Sequence, residues 1–320
     1  MTEILKVENL KKYFNNKSGI LHAVDDVNFT IYEGNTLGVV GESGCGKSTL
    51  GRVVLKLIEP TDGKIFFEGR DITEASARET KQLRREMQII FQDPFSSLNP
   101  RRSVTEIIAE PLKVYKIHKS SYDRNKRVYE LMDLVGLAKR FANSYPHELD
   151  GGRRQRIGVA RALSLNPKLI VCDEPVSALD VSIQAQILNL LQDLQEQHGL
   201  TYIFVTHDMS VVKHISTDIL VMYIGVLVEK ASSDDLFDNP LHPYTKGLLS
   251  AVPVVNLDIK RERIKLAGEL ASPIEPKDEC RFLPRCQYST DVCSQKAPET
   301  EEIMPDHFVA CHNIRKINGL

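Results

Sequence analysis

One stretch of the sequence carries the residue types and the spacing of a phosphate-binding loop. Residues 41–49 read Gly-Glu-Ser-Gly-Cys-Gly-Lys-Ser-Thr, which fits the pattern of Gly, four residues, Gly, Lys and Ser/Thr. Glycines let the backbone turn tightly, so that several amide N–H groups point at one anion beside the positive end of a helix. Lys47 is placed to reach the β- and γ-phosphates, and the Ser48 hydroxyl is placed to bind Mg²⁺. A chance glycine-rich turn is the alternative. We predict that a nucleoside triphosphate binds through Gly41, Ser43, Gly44, Cys45, Gly46, Lys47, Ser48 and Thr49.

Two acids follow an apolar segment in the middle of the chain. Residues 169–172 read Leu-Ile-Val-Cys and predict a buried strand, and Asp173 and Glu174 come directly after it. An acid at the carboxyl end of a core parallel strand lies on the ligand side of an open α/β sheet. We therefore expect Asp173 to hold Mg²⁺ through water and Glu174 to polarise an attacking water. The alternative is two solvated acids at a strand end.

Two further polar residues follow predicted strands. Residues 87–91 predict a short buried strand before Gln92, whose side chain suits Mg²⁺ or a water molecule. An ordinary turn explains Gln92 equally simply. Residues 201–205 predict a third buried strand, and His207 follows it at an edge where a γ-phosphate contact is expected. A lone histidine is usually structural, but this one is the third polar strand end of its kind.

Two other segments have features that suit a nucleotide. Tyr13 and Phe14 lie ahead of the phosphate loop, where an aromatic side chain can either stack on an adenine ring or simply end a strand. Asp150, Gly151 and Gly152 precede a helical run. Two glycines before a helix expose amide groups to an anion. Asp150 fits equally well as a plain helix N-cap.

The patterns around these residues predict an α/β fold. Alternating apolar and polar residues at 4–8 and 22–31 indicate a small antiparallel sheet. Helical periodicity indicates a helical insert, which we bound at about 95–162, between two parts of a mixed-sheet core. We predict two domains, an ATPase domain at 1–252 and a cysteine-rich extension at 253–320.

Composition excludes several classes of protein. The 320 residues are 42% hydrophobic and 26% charged, as in a soluble globular protein with an ample core. The 41 basic and 43 acidic residues give a net charge of −2, so no overall field favours nucleic acid or an anionic membrane. No apolar run approaches the roughly 18 to 20 residues that span a bilayer. The first residues lack the layout of a signal peptide, so we expect a cytoplasmic location.

Four of the six cysteines fall in the proline-dotted tail. Cys280, Cys286, Cys293 and Cys311 are separated by five, six and seventeen residues, and the segment shows little hydrophobic periodicity. Four thiols in a segment with a weak core indicate a metal site, either zinc or an iron–sulfur cluster. The absence of Cys-x-x-Cys pairs favours a [4Fe–4S] cluster, with zinc or four reduced thiols as alternatives. Because no motif for an electron-transfer partner is visible, we expect the role of the cluster to be structural. Cys45 and Cys172 are expected to be plain thiols.

From about residue 4 to residue 250, the order of these features resembles the ATPase subunit of ATP-binding-cassette (ABC) transporters, a P-loop NTPase fold. The resemblance implies ATP hydrolysis. It implies that Phe14 or Tyr13 stacks on adenine, that Gln92 is the coupling glutamine and that His207 is the switch histidine. It also makes residues 41–49 the Walker A loop, 149–155 the family signature, 169–173 Walker B, Glu174 the general base and 177–180 the D-loop.

Three later features look like the dipeptide and oligopeptide importer branch of that family. These are residues 242–245 (His-Pro-Tyr-Thr), residues 268–273 (Gly-Glu-Leu-Ala-Ser-Pro) and the four-cysteine tail, for which the resemblance also implies an iron–sulfur cluster. The resemblance implies a heterodimer with a second homologous ATPase subunit, two transmembrane permeases and an extracytoplasmic peptide-binding protein, with peripheral attachment to the cytoplasmic face of the membrane. The alternatives are a soluble ABC ATPase acting on ribosomes or nucleic acid and a small-molecule phosphotransferase. We expect no nucleic acid partner.

The sequence departs from the family signature at one position. The family has Ser before the Gly-Gly pair, where this chain has Asp150. By resemblance, residues 150–152 contact the ATP held by the partner subunit's Walker A loop. An ionised Asp cannot donate a hydrogen bond to phosphate, although Arg153 is placed to offset some of its charge. We therefore predict an asymmetric dimer in which the composite site containing Asp150 is impaired.

Overall fold

The computed structural model describes residues 2–118, 120–252, 264–266, 268 and 272–320. The chain divides into two compact units, which we call unit 1 (Met1–Glu74 with Phe204–Leu320) and unit 2 (Ala75–Ile203). Residues 269–271 of the predicted subfamily motif lie outside the described residues, as do residues 253–263 at the predicted domain boundary. The division into 1–252 and 253–320 therefore stays a prediction.

The first part of unit 1 is mostly β structure. Its elements are β1 (Glu3–Asn16), β2 (Gly19–Tyr32), β3 (Thr36–Val40), α1 (Lys47–Val54), β4 (Asp62–Phe67) and β5 (Arg70–Asp71). Four strands form an antiparallel sheet in the order β2-β1-β4-β5. The antiparallel sheet predicted from the alternating pattern is confirmed, but its first two strands are longer than expected. Tyr13 and Phe14 consequently lie within β1, where Tyr13 pairs with His22 of β2.

Unit 2 contains the helical insert. Its elements are α2 (Ala77–Glu86), β6 (Met87–Ile90), α3 (Pro94–Ser97), α4 (Val104–Val114), α5 (Ser121–Leu134), α6 (Gly151–Leu163), β7 (Leu169–Asp173) and α7 (Val181–His198), with 3₁₀ turns at Lys139–Phe141 and Pro146–Glu148. Apolar residues at helical spacing are buried, such as Ile107 and Ile108 of α4 and Leu131 of α5. β6 and β7 pair in parallel, and all of β7 is buried.

The remainder of unit 1 forms a mixed sheet. Its elements are β8 (Thr201–Thr206, which begins in unit 2), α8 (Met209–Ile215), β9 (Asp218–Tyr223), β10 (Val226–Ser232), α9 (Ser233–Asp238), α10 (Pro243–Ser250), β11 (Glu301–Met304), β12 (His307–Val309) and α11 (Ile314–Asn318), with 3₁₀ turns at Leu283–Arg285 and Asp291–Ser294. Within it the strand order runs β11-β12-β10-β9-β3. β3 and β9 are parallel, and the other neighbours are antiparallel. No helix in the described part of the chain is long and apolar enough to cross a bilayer.

The extension is held by packing and pairing, which the sequence pattern does not reveal. β12 continues the sheet beside β10. Phe282 is 2% exposed and packs against Tyr223 and Tyr244. The buried Glu229 accepts a hydrogen bond from His307 Nε2 at 2.7 Å and from two backbone amides of residues 241 and 242. The premise that this segment has a weak core is therefore incorrect.

The predicted metal site on the tail is also contradicted. Among the described residues, which include all four tail cysteines, no group of three or more His, Cys, Asp or Glu side chains is arranged to hold a metal ion. This finding contradicts the [4Fe–4S] cluster predicted on Cys280, Cys286, Cys293 and Cys311, and equally the zinc alternative. All four are free cysteines. Burial raises the pKa of Cys280 to about 12 and that of Cys311 to about 11, so both are protonated thiols at neutral pH.

Candidate functional site

The phosphate loop joins a buried strand to a helix. β3 ends at Val40 and α1 begins at Lys47, directly after Gly46 of the loop. Gly46 has φ +104°, and a Cβ atom there would lie 2.0 Å from the Ala23 carbonyl oxygen. Only glycine fits this position. The loop thus joins a strand to a helix N-terminus, the arrangement that phosphate-binding loops share.

Lys47 lies along the inner side of this loop. Its side chain is 4% exposed, and its Nζ donates hydrogen bonds to the carbonyl oxygens of Gly41 at 2.8 Å and Glu42 at 2.9 Å. These bonds hold the ammonium group against the loop backbone. Cys45 is also buried, and burial raises the pKa of its thiol. The prediction that Cys45 is a plain thiol agrees with its burial.

Two residues without a predicted catalytic or binding role, Tyr244 and Arg285, hold Glu42 of the loop. Its backbone amide donates to the Tyr244 hydroxyl at 2.9 Å. Its carboxylate accepts two hydrogen bonds from Arg285, from Nη1 at 2.7 Å and from Nη2 at 3.1 Å. Tyr244 belongs to the His-Pro-Tyr-Thr motif, but nothing in the local pattern around Arg285 signals this contact. Glu42 and Arg285 are 243 positions apart in the sequence.

The aromatic pair lies within the same unit as the loop. The Tyr13 ring stacks on His22 with a centroid distance of 3.8 Å, and its hydroxyl donates to Asp25. Lys12 Nζ lies 4.9 Å from the centroid of the Phe14 ring. β2 carries His22 directly before Ala23, the residue that approaches Gly46. Contact of either ring with adenine stays a prediction.

In unit 2, the acids at the end of β7 meet the predicted glutamine. Asp173 is 2% exposed. Glu174 has φ +47°, a left-handed conformation that is uncommon for a non-glycine residue and often accompanies a functional turn. Gln92 Nε2 donates to Glu174 Oε2 at 2.9 Å, and the Ser177 hydroxyl donates to the Glu174 carbonyl oxygen at 3.1 Å. The structure therefore brings Gln92 and Glu174 together. The amide group of the exposed Gln92 points toward the Glu174 carboxylate.

The signature segment begins α6 of unit 2. Asp150 is the N-cap, and its Oδ1 accepts a hydrogen bond from the Arg153 amide at 2.8 Å. The Arg153 guanidinium forms an ion pair with the same carboxylate, as its position in the sequence suggests. A Cβ atom at Gly152 would lie 2.7 Å from Ile183 Cγ2 of α7, so a larger residue would require the Ile183 side chain or the backbone to shift. The capping role that the sequence allowed for Asp150 is confirmed.

His207 follows β8, as predicted, and its side chain is exposed. The next residue, Asp208, caps α8 by accepting a hydrogen bond from the Ser210 amide at 2.7 Å. The local fold thus explains Asp208 through capping. The predicted contact of His207 with a γ-phosphate stays a prediction.

Comparison with known proteins adds a second kind of observation. Residues 24–177 match the family described as ABC transporter, and residues 228–293 match the family described as oligopeptide/dipeptide transporter, C-terminal region. The chain is 51% identical to the oligopeptide transport ATP-binding protein AppF of Bacillus subtilis over 97% of both chains. It is 47% identical to the dipeptide transport ATP-binding protein DppF of Haemophilus influenzae, with 98% of this chain and 97% of the relative covered.

Solved structures give the same result for the fold. The ATP-binding cassette MJ0796, solved as a dimer in a post-hydrolysis state bound to ADP and phosphate, is similar with a TM-score of 0.66 and 32% identity over 72% of this chain and 99% of that one. CbiO1 from Clostridium perfringens, part of the transporter complex cbiONQ, also gives a TM-score of 0.66, with 28% identity over 75% of this chain and 92% of that one.

Proposed function

Because this chain belongs to the ATP-binding-cassette transporter family, as an ATPase with the cassette fold and an oligopeptide/dipeptide transporter C-terminal region, we propose that it energises the import of di- and oligopeptides. The observation that carries the proposal is the similarity over nearly the whole chain to oligopeptide and dipeptide transport ATP-binding proteins. That similarity favours peptide import over action on ribosomes or nucleic acid, the alternative from the sequence.

We assign the phosphate chemistry in unit 1 to the loop. Lys47 and the loop amides neutralise the β- and γ-phosphates as charge develops during hydrolysis. The Ser48 hydroxyl, at the start of α1, is a hard oxygen ligand of the kind that Mg²⁺ prefers. His207 contacts the γ-phosphate, and Tyr13 or Phe14 stacks on the adenine ring.

In unit 2 we assign the hydrolytic water to Glu174. A carboxylate at the end of β7, oriented by Gln92, can accept the proton of an attacking water. Asp173 offers carboxylate oxygens for Mg²⁺ through water, and Gln92 an amide oxygen. The magnesium ion would stabilise charge on the phosphates, while Gln92 orients the carboxylate of Glu174 and Glu174 accepts the proton of the water.

We further propose a head-to-tail heterodimer with a homologous ATPase subunit, bound peripherally to two permeases at the cytoplasmic face of the membrane and supplied by an extracytoplasmic binding protein. In such a dimer, Asp150, Gly151 and Gly152 meet the ATP of the partner subunit. Because Asp150 carries negative charge and is already engaged by Arg153, that composite site hydrolyses poorly. A homodimer would carry Asp150 in both sites, which favours the heterodimer.

Reconstitution tests the proposal. The chain, its partner ATPase and the two permeases are placed in vesicles with peptide-loaded binding protein, and peptide uptake is followed with ATP supplied on the side of the ATPases. We expect uptake that requires ATP and is lost in Lys47→Ala, and no stimulation of ATP hydrolysis by ribosomes or nucleic acid. Hydrolysis that is stimulated by ribosomes and is indifferent to permeases and peptide would contradict it.

A further inference from the structure

Two arginines of the extension reach the two parts of unit 1 that are assigned to ATP. We propose that Arg285 and Arg281 are positioning residues for ATP, because Arg285 holds the phosphate loop and Arg281 holds both Asp25, which binds Tyr13, and the turn that contacts the loop. This inference rests on the proposed function, since it assigns the extension a part in binding ATP at the same site. Neither arginine contacts the predicted phosphate ligands directly.

The contact of Arg285 with Glu42 is the stronger of the two. Both terminal nitrogens of Arg285 bond to the two carboxylate oxygens of Glu42, and the Arg285 side chain is only 9% exposed. A bidentate guanidinium–carboxylate pair fixes the orientation of the two side chains as well as their distance. Burial protects the pair from screening by salt. The second residue of the phosphate loop is therefore held in one orientation by a residue of the extension.

This orientation is passed on to Lys47. The backbone amide of Glu42 donates to the buried Tyr244 hydroxyl, and its carbonyl oxygen accepts from Lys47 Nζ at 2.9 Å. Every polar group of Glu42 is thus engaged, two of them by residues that follow β10. A shift of Glu42 would move the carbonyl oxygen that holds the Lys47 ammonium group. Arg285 acts on phosphate binding through this chain of contacts.

Arg281 contacts the group of side chains that holds Tyr13. Its guanidinium donates to Asp25, the carboxylate that also accepts from the Tyr13 hydroxyl and lies 2.9 Å from His22 Nδ1. Losing Arg281 would leave Asp25, which is partly buried, without its cation. The position of the Tyr13 ring, stacked on His22, therefore depends on Arg281.

Arg281 also supports a strained turn beneath the loop. It donates to the carbonyl oxygen of Ile224, a β-branched residue with φ +43°. Such a conformation persists only where surrounding contacts maintain it. The amide of the next residue, Gly225, donates to the Cys45 carbonyl oxygen of the phosphate loop at 2.8 Å. Arg281 thereby holds the turn that carries this contact.

The two arginines are coupled by the backbone between them. Phe282 is buried among aromatic side chains, with its ring 5.3 Å from that of Tyr223, and Leu283–Arg285 forms a single 3₁₀ turn. Their spacing is therefore fixed, so a displacement of this short segment would disturb both parts of the ATP site at once.

The test is a measurement of KM and kcat for ATP hydrolysis by the assembled complex that contains Arg285→Gln, Glu42→Gln or both. Without the pair, ATP must order a loop that is no longer held, and this ordering reduces the net free energy of ATP binding, so we expect KM to rise about tenfold with kcat changed less than about twofold. The KM of the double variant should be no higher than that of either single variant, because the same pair is lost.

Arg285→Lys keeps the charge without the bidentate contact and should raise KM by an intermediate amount. Arg281→Gln should raise KM less than Arg285→Gln.

Arg315→Gln is the matched control, since Arg315 is an exposed arginine on α11 of the same extension. Its KM should equal that of the wild type. Unchanged KM in Arg285→Gln with normal assembly, or additive effects in the double variant, would overturn the inference. If Arg285→Gln does not assemble, Arg285→Lys decides, and a KM equal to that of the wild type overturns the inference. A wild-type complex that hydrolyses no ATP would instead refute the proposed function.

Discussion

In the phosphate loop, Lys47 is almost completely buried and donates to the carbonyl oxygens of Gly41 and Glu42, whereas at the end of β7 the exposed Gln92 donates to the carboxylate of Glu174. Glu42 of the loop is fixed by Tyr244 and Arg285. The phosphate loop is therefore held by residues from other parts of unit 1. The pair of Gln92 and Glu174 is less buried than Lys47, as suits a base that must act on a water molecule. Changes to distant residues should therefore alter the loop more than they alter the end of β7.

The largest expected effect is on the loop. In Gly46→Ala, the added Cβ meets the Ala23 carbonyl oxygen at 2.0 Å, and a residue other than glycine is strained at φ +104°. We expect the free energy of unfolding to fall by more than about 3 kcal/mol, with loss of ATP binding. Urea denaturation and a nucleotide-binding titration measure both quantities.

Gly34→Ala is the control for that substitution. Gly34 has φ +78°, and no described heavy atom lies within 4 Å of the position of its Cβ. The free energy of unfolding of Gly34→Ala should fall by roughly 1 to 2 kcal/mol from backbone strain alone, and the variant should still bind ATP. Equal losses in the two variants would show that the close approach of Ala23 does not restrict the loop.

The second effect is a pH dependence of stability at His242, which accepts a hydrogen bond from the residue that holds Glu42, Tyr244. Burial lowers the pKa of His242 to about 4 from its usual 6.5, and its Nδ1 accepts a hydrogen bond from the Tyr244 amide at 3.1 Å. Between these pH values the unfolded chain binds the proton and the folded chain does not, so stability falls as pH decreases from 6.5 to 4. The loss should reach about 3 kcal/mol.

His242→Asn retains a side chain that caps α10 and removes the titrating group. Unfolding free energies of the two proteins at several pH values give the contribution of His242 as their difference. The difference in unfolding free energy between the wild type and His242→Asn should decrease by about 3 kcal/mol as the pH falls from 7 to 4. A constant difference from pH 7 to pH 4 would show that His242 does not carry this pH dependence.

The smallest effect is expected at the signature, where the support is local. Asp150→Ala removes an N-cap and should cost about 1 kcal/mol in unfolding free energy. Asp150→Ser keeps a capping oxygen and should change stability by less than about 0.5 kcal/mol. In the assembled complex, Asp150→Ser should also raise ATP turnover, because it restores the serine of the family signature. Turnover unchanged or reduced in this variant would contradict the proposed asymmetry.

The same comparison explains which features the sequence predicts. Residues 41–49 and the acids after β7 are local patterns, and the structure has strand, loop and helix where those patterns indicate them. The contacts of Glu42 with Tyr244 and Arg285 join residues more than 200 positions apart, and no spacing rule reveals them. The hypothesis of a metal site failed for a related reason. It counted thiols, but Phe282 and β12 hold the extension by long-range packing and strand pairing.

The most direct test of the central assignment, Glu174 as the base in ATP hydrolysis, is a comparison of turnover in the wild-type complex and in Glu174→Gln. The substituted side chain keeps an oxygen that can accept from Gln92 but cannot accept a proton from water, so its position is preserved while its basicity is lost. We predict that turnover falls by about 10² to 10⁴ and that ATP remains bound in a closed, unhydrolysed state. Turnover within a few-fold of the wild type, in a variant that still binds ATP, would contradict the account.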